Sequence, residues 1–204
     1  MAKRDCVVVL GMAIVSLSGC SFLSGPKKVE KPPPEPVTGL HALAQMYSAA
    51  KNWSPDLQIL REVSLQMGDI PAQPGKSPVW QATFVSPTLG QSRVYTYAIS
   101  DLSPSVREGI FPETPAPFSN KGQQAQPFLI QAVKKDTDQL YETAMTHGKA
   151  FSDAHPNMKI NYLLEFNNRS PNAAWRVMWG NTPSSASFSV LLDATNGVFI
   201  EVLN

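Results

Sequence analysis

The C-terminal stretch from Pro171 onward places large apolar residues on every second position. Trp175, Val177 and Trp179 therefore share one face of a strand, because side chains alternate between the two faces of a sheet. Two more alternating sets follow: Phe188, Val190 and Leu192, then Val198, Ile200 and Val202. One-sided alternation is typical of antiparallel sheets, whereas parallel sheets are covered on both faces. We therefore predict an antiparallel meander with one buried face, which requires a covering helix.

The dipeptide Asn196-Gly197 separates the last two predicted strands. It tolerates the positive φ angles of a type I′ turn and is a strong short-range signal for a hairpin. We predict that this turn closes a hairpin at the end of the chain.

A first helix is predicted from about Gly39 to Asn52, with Thr38 as its N-cap. It ends before Pro55, because the residue that precedes a proline avoids the helical region. Its apolar stripe recurs at helical spacing and consists of Leu40, Leu43, Tyr47 and Ala50.

A second helix is predicted to begin after Asp136 or Thr137 and to end before Pro156. Gln139 is placed to complete a capping box with Asp136. The apolar stripe of this helix is Leu140, Ala144, Gly148 and Phe151.

Further strands are predicted from residues that alternate after each helix. In the first half the alternating sets are Leu57, Ile59, Val63, Leu65 and Met67, then Trp80, Ala82 and Phe84, then Tyr95, Tyr97 and Ile99, followed by a short edge strand at residues 109–111. In the second half the set is Ile160, Tyr162, Leu164 and Phe166. The tryptophans of these strands are predicted to be core residues, since alternating aromatic residues beneath an amphipathic helix bury large apolar areas.

The N-terminus has the composition of a secretory signal. Lys3 and Arg4 precede an apolar run over residues 6–17, which is too short to span a bilayer as a helix. The following Leu17-Ser18-Gly19-Cys20 resembles the lipobox of bacterial lipoproteins, in which the cysteine is lipid-modified and becomes the first residue of the mature protein. We predict a signal peptide at residues 1–19 and lipidation of Cys20.

Residues 20–37 are predicted to be the lipidated cysteine and a proline-rich tether. Residues 21–37 contain five prolines among charged residues and have too few apolar groups to form a core. An extended segment of this kind rises about 3.1 Å per residue, so it holds a domain up to roughly 50 Å from the lipid surface. Ser21, in place of the aspartate that retains many lipoproteins at the inner membrane, favours the outer membrane facing the periplasm.

Charge and cysteine content exclude several classes of function. Removal of the signal leaves fifteen basic and fifteen acidic residues, so bulk charge attracts no nucleic acid. The two cysteines are Cys6, within the signal, and Cys20, so the folded part has neither a disulfide nor thiol chemistry.

An internal repeat links the two halves. Residues 55–59 match residues 156–160 after a helix in each case, and residues 80–84 match residues 175–179 around a tryptophan. The simplest account is two copies of a helix followed by a four-stranded meander.

The tryptophan strand and the hairpin Asp193-Ala194-Thr195-Asn196-Gly197 resemble the PepSY domain. The second copy carries both parts of the pattern, whereas the first carries the helix and Trp80 without the clean hairpin. This resemblance implies a small cystatin-like α+β unit found outside the cytoplasm, in places as a peptidase propeptide or inhibitor, with no catalytic residues to carry over. We predict two tandem units, residues 38–111 and 136–204, joined by a connector at residues 112–135. Each unit is one helix packed on a three- to four-stranded antiparallel sheet.

Catalytic and metal signals are sparse. The three histidines are His41, His147 and His155, and none lies four residues from another on one helical face, as a zinc pair would. No phosphate loop, dinucleotide fingerprint or nucleophile elbow is present. No cofactor and no enzymatic activity are therefore expected, although a triad assembled from distant residues is not excluded.

We expect a non-catalytic, membrane-anchored envelope lipoprotein that binds a protein or peptide through loops and strand edges. Inhibition or regulation of a peptidase is one form of this function. The loops at residues 71–77 and 112–126 differ between the two copies, so they are predicted to carry a partner-specific surface. The alternative is a lipid-anchored hydrolase or a small-ligand-binding protein with a site between the repeats.

Overall fold

One large antiparallel sheet carries both helices on the same face. The structure is a computed structural model that describes residues 34–67, 70–71 and 73–203. The predicted signal peptide, Cys20 and most of the predicted tether lie outside the described residues. No helix in the described part of the chain is long and apolar enough to cross a membrane.

The two helices and the longer strands follow the predicted order, and three two-residue strands and a 3-10 helix that the sequence did not predict are added to them. The strands are β1 (Val37–Thr38), β2 (Gln58–Leu65), β3 (Lys76–Ser77), β4 (Val79–Ser86), β5 (Gln91–Ala98), β6 (Gly109–Pro112), β7 (Ala116–Pro117), β8 (Ile160–Glu165), β9 (Ala174–Trp179), β10 (Phe188–Asp193) and β11 (Phe199–Leu203). The helices are α1 (Gly39–Ala50) and α2 (Thr137–Ala154), with a short 3-10 helix at Ile130–Ala132. The predicted α+β class is confirmed.

The strand order of the large sheet is symmetric. Within the described residues it runs β11-β10-β9-β8-β2-β4-β5-β6, with β7 added beside β5. The first half contributes β2, β4, β5 and β6 and the second half β8 to β11, so each half supplies a meander that follows its own helix. Antiparallel pairing of β2 with β8 joins the halves into one sheet, which the sequence did not predict.

Three tryptophans form the centre of the core, as predicted. Trp80, Trp175 and Trp179 are all 0% exposed. Trp80 and Trp175 occupy corresponding places, each on the second strand from the β2–β8 junction, and their rings meet edge to face with centroids 6.1 Å apart. Gly148 of α2 lies directly over Trp179: a Cβ at this position would come within 2.5 Å of the indole ring.

The prediction for β2 is correct at its start and wrong at its end. A bulge between Ile59 and Arg61 shifts the register against β4. Ile59 faces the core as expected, but the residues that follow it on this face are Glu62 and Ser64, both buried. Val63 and Leu65, predicted to face the helices, point to the opposite side, because one extra residue in a strand inverts every later side chain.

The terminal hairpin forms with a different turn from the predicted type I′. Asn196 does not have a positive φ, and Gly197 alone adopts one, at 78°. The Gly197 N–H donates to the Asp193 carbonyl over 2.8 Å, which closes a longer loop. A register shift after Leu191 then places Phe199 opposite Leu192, so the predicted inward face of β11 is wrong at Val198, which is 60% exposed.

The predicted capping box of α2 does not form. Asp136 is the N-cap, as expected, and accepts from the Thr137 N–H over 2.7 Å. The Asp136 carboxylate also accepts from the other helix, because the Leu40 N–H of α1 donates to it over 3.0 Å. This contact takes the place of the expected interaction with Gln139. The N-termini of the two helices therefore meet at the junction of the halves.

Candidate functional site

Strand β11 is an open edge of the large sheet. Among the described residues it pairs with β10 alone. It contains neither proline nor lysine, the residues that commonly block pairing at an edge. Val202 is 37% exposed, and Val198 just before the strand is 60% exposed. The outer backbone groups of β11 therefore form a template for another strand.

The opposite edge is blocked. Strand β6 is only four residues long and ends in Pro112, which has no N–H to donate. Strand β7, which pairs with the far end of β5, also ends in a proline, Pro117. The two edges of the sheet therefore differ, and β11 is the edge open to strand addition.

An aromatic surface borders β11 on the helix side. The His147 ring of α2 stacks on Phe199, with centroids 3.8 Å apart and planes 12° from parallel. Behind this pair, Phe151 stacks on Phe188 at 4.9 Å, and Phe188 meets Trp179 edge to face. His147 itself is exposed, so the stack reaches the surface.

The other side of β11 is charged. Arg169 approaches Glu201 to 3.3 Å, and both side chains are substantially exposed. An exposed ion pair of this kind contributes little to stability. An added strand at this edge would thus place alternate side chains beside an aromatic surface and beside a charged pair.

Asp193 holds the hairpin that presents β11. Its carboxylate accepts from the Thr195 N–H over 2.7 Å, from the Asn196 N–H over 3.1 Å and from the Asn172 side chain over 2.8 Å. Burial alone would raise the pKa of Asp193, but these hydrogen bonds outweigh it and lower the pKa below its usual value. The carboxylate therefore remains ionised and fixes the turn.

A concavity at the junction of the halves is a second candidate site. It has a volume of about 250 Å³ and receives a loop from the first half and α2, β8 and the turn between them from the second. Its lining consists of Gln73, Pro74, Tyr141, Pro156, Asn157, Met158, Lys159, Ile160 and Tyr162. The Tyr162 hydroxyl is anchored at the base, where it accepts from the Gly75 N–H over 2.9 Å. We name this concavity the junction cleft. Lys159 is the one formal charge among the described residues that line it.

The two loops predicted to carry a partner surface both line concavities. The first loop contributes Gln73 and Pro74 to the junction cleft. The second contributes residues 122–125 to a shallow concavity of about 620 Å³ beside Arg61 and Glu165.

Each of the three histidines packs against an aromatic ring. His147 lies on Phe199 and His155 on Phe151, whereas His41 meets Tyr97 edge to face. No group of three or more histidine, cysteine or acidic side chains suited to a metal occurs within the described ranges.

A buried glutamate at the junction is not predicted from the sequence. Glu62 is 0% exposed, and the charge of Asp136, the residue that caps both helices, acts on it. The alternation in the sequence puts Glu62 and Ser64 on the face opposite to Val63 and Leu65, which are predicted to face the core. The bulge that turns the pair inward has no sequence signature here.

Comparison of the chain with protein-family models, with curated proteins and with solved structures finds no match.

Proposed function

We propose that the protein is a non-catalytic, lipid-anchored envelope protein that binds an extended peptide segment of a partner by strand addition at β11. The observation that carries this proposal is the difference between the two sheet edges, since β6 is blocked by proline and β11 is not. An exposed edge strand offers a row of unpaired N–H and C=O groups, and main-chain hydrogen bonds to it supply affinity.

The surroundings of β11 favour a particular peptide pattern. Side chains of an added strand would alternate between the aromatic surface at Phe199 and His147 and the charged pair of Arg169 and Glu201. A segment that alternates apolar and polar residues matches both sides. Alternation of this kind also favours the extended conformation of a β-strand.

The test compares substitutions at the two edges. Val202→Lys places a charge on the open edge, and Phe111→Lys makes the same change on the blocked edge, where Phe111 is 43% exposed. A library of extended ten-residue peptides is bound to the purified full-length protein, and the affinity of the selected peptides is measured for each variant. We expect a loss of about tenfold, near 1.4 kcal/mol, in Val202→Lys and little change in Phe111→Lys. Equal losses, or none in Val202→Lys, would contradict the proposal.

The lipid anchor at Cys20 is part of the same proposal. Replacing Cys20 by serine should move the protein from the membrane fraction to the soluble fraction of the envelope, because one or more acyl chains supply the membrane affinity. Retention of Cys20→Ser in membranes would refute lipidation at this residue.

We also propose that the halves are duplicated PepSY-like units. The symmetric strand order and the corresponding places of Trp80 and Trp175 support the duplication. A relationship to PepSY domains favours a peptidase as the partner. Binding would then inhibit or regulate that peptidase. Cross-linking in intact cells through a photoreactive residue at Val202 should then recover one peptidase, and the same residue at Phe111 serves as the control. Recovery of the same proteins from both positions would count against it.

The junction cleft supports a second candidate, the binding of a small ligand between the halves. Its lining combines apolar residues such as Met158 and Ile160 with the single cation Lys159, which suits an apolar anion. Anilinonaphthalene sulfonate is a probe of that chemistry. We expect saturable binding that weakens at least fivefold in Lys159→Ala and is unchanged in Val202→Lys. Identical binding by Lys159→Ala and the wild-type protein would exclude the cleft.

A further inference from the structure

Glu62 is buried without a hydrogen-bonding partner. It is 0% exposed, and neither carboxyl oxygen has a hydrogen-bonding partner among the residues that the structure describes. It lies on β2 between Ala82 of β4 and Leu164 of β8. Burying an ionised carboxylate without compensation is strongly unfavourable, so such a group takes up a proton instead. The buried environment at the junction of the two halves therefore favours the protonated form of Glu62.

Asp136 connects this position to both helices. Its carboxylate accepts from the N–H groups of Thr137, at the start of α2, and of Leu40, in the first turn of α1. It also accepts from the Thr38 hydroxyl over 2.7 Å. The same contact region is completed by the Gly39 N–H, which donates to the Thr137 hydroxyl over 2.8 Å. One side chain thus caps two helices and ties the halves together.

Glu62 and Asp136 repel each other when both are ionised. Burial first, and then the negative charge of Asp136, raises the pKa of Glu62 well above its usual value. Removal of the proton from Glu62 would therefore place a second negative charge near the group that caps both helices. In a medium of low dielectric that repulsion is strong.

Few other ionisable groups of the described residues share this region. The helix-facing residues of β4 and β9 around it are apolar, and the first turn of α1 from Gly39 carries only His41, which is exposed and packs on Tyr97. On β8 the hydroxyl of Tyr162 is occupied by the Gly75 N–H, and burial raises the pKa of Tyr162. Lys76 of β3 lies opposite Thr38 and remains partly exposed. Asp136 is the group whose charge acts on Glu62.

We propose that Glu62 is a pH-sensitive switch: its protonated form keeps the junction closed, and its ionisation loosens the contact in which Asp136 caps both helices. The switch rests on the fold and is independent of the function proposed for β11. Its effect is a weaker connection between the halves as the pH rises.

The direction of the pH dependence follows from proton binding. The folded protein retains the Glu62 proton at a pH where the unfolded chain, with an ordinary carboxyl near 4.5, has lost it. Stability is therefore complete below the unfolded value and falls as the pH rises toward the folded value. Across that window the unfolding equilibrium constant rises by up to about tenfold per pH unit.

The test compares the full-length wild-type protein with Glu62→Gln, which mimics the protonated acid, and with Glu142→Gln as a control at an exposed glutamate of α2. Urea unfolding is measured from mildly acidic to mildly alkaline pH. We expect the unfolding constant of the wild type to rise relative to that of Glu62→Gln as the pH increases, while Glu142→Gln follows the wild type. Parallel profiles for the wild type and Glu62→Gln would overturn the proposal.

Amide hydrogen exchange locates the effect. At each pH, exchange of the Leu40 and Thr137 amides in the wild type is divided by the rate in Glu62→Gln, which cancels the intrinsic pH dependence of exchange. The ratio should be near one in acid and rise severalfold in alkali at these two amides first. A ratio that stays constant refutes the switch. If Glu62→Gln does not fold, Glu62→Leu replaces it, and a wild-type protein that loses no stability above the ordinary carboxyl range contradicts the proposal by itself.

Discussion

Substitution of Asp136 by alanine tests whether one side chain caps both helices. The carboxylate accepts from the Thr137 N–H at 2.7 Å and from the Leu40 N–H at 3.0 Å. Loss of an N-cap residue costs about 1 kcal/mol. Two helices lose their cap in Asp136→Ala, and the Thr38 hydroxyl loses its acceptor as well. We therefore expect a loss of about 2–3 kcal/mol in the free energy of unfolding.

The matched control is Asp138→Ala. Asp138 is an exposed acidic residue in the first turn of α2, so it interacts with the helix dipole without bonding to α1. Its loss should be about 0.3–1 kcal/mol. Asp136→Asn retains an acceptor oxygen and should lie between the two alanine variants.

The assay is urea unfolding near pH 5, where the folded protein keeps the Glu62 proton, so that removal of the neighbouring charge does not enter the comparison. The midpoint should fall with an unchanged slope, which marks a change of stability alone. Thermal unfolding should show a decrease of about 4–8 °C for a loss of about 2 kcal/mol in a domain of this size. A loss in Asp136→Ala no larger than that in Asp138→Ala would refute the double cap.

Three further substitutions probe the core, the junction and the hairpin. Gly148→Ala should destabilise the protein by about 1 kcal/mol in urea unfolding, because overpacking against Trp179 outweighs the helix propensity gained; a net stabilisation would show that Trp179 yields. Tyr162→Phe should cost about 1–3 kcal/mol by leaving the buried Gly75 N–H without an acceptor, and an unchanged midpoint would mean that water replaces the hydroxyl. Asp193→Asn should be less stable than the wild type at neutral pH. The difference should shrink as the pH falls through the lowered folded pKa of Asp193, and a pH-independent difference would exclude a role for its charge.

Periodicity in the sequence was sufficient to predict the helices, the longer strands and the residues at the centre of the core. The helices begin where Thr38 and Asp136 predicted, and Trp80, Trp175 and Trp179 are buried beneath them. These features are local, since a period of two or of 3.6 residues determines which side chains share a face. The absence of proline and lysine from β11 is also visible in the sequence, whereas its place at the edge of the sheet is a property of the strand order.

Local patterns failed where a distant segment supplies the partner. The bulge at Ile59 is accompanied by a bridge to Phe128 of the connector, whose N–H donates to the Ile59 carbonyl over 2.9 Å. The sequence of residues 58–65 does not predict that bridge. The predicted capping box is absent for the same reason. Asp136 was expected to interact with Gln139 of its own helix, but its carboxylate accepts from the Leu40 N–H of the other half of the chain.

The sequence by itself determined two amphipathic helices, the meanders that follow them and the tryptophan core, because apolar residues at fixed spacing must be buried together. The tertiary structure alone decided that β2 and β8 join the halves into one sheet and that Glu62 is buried where the charge of Asp136 acts on it. Pairing of β2 with β8 joins residues about one hundred positions apart, so local periodicity does not specify it. A one-residue bulge then determines whether a glutamate faces water or the core.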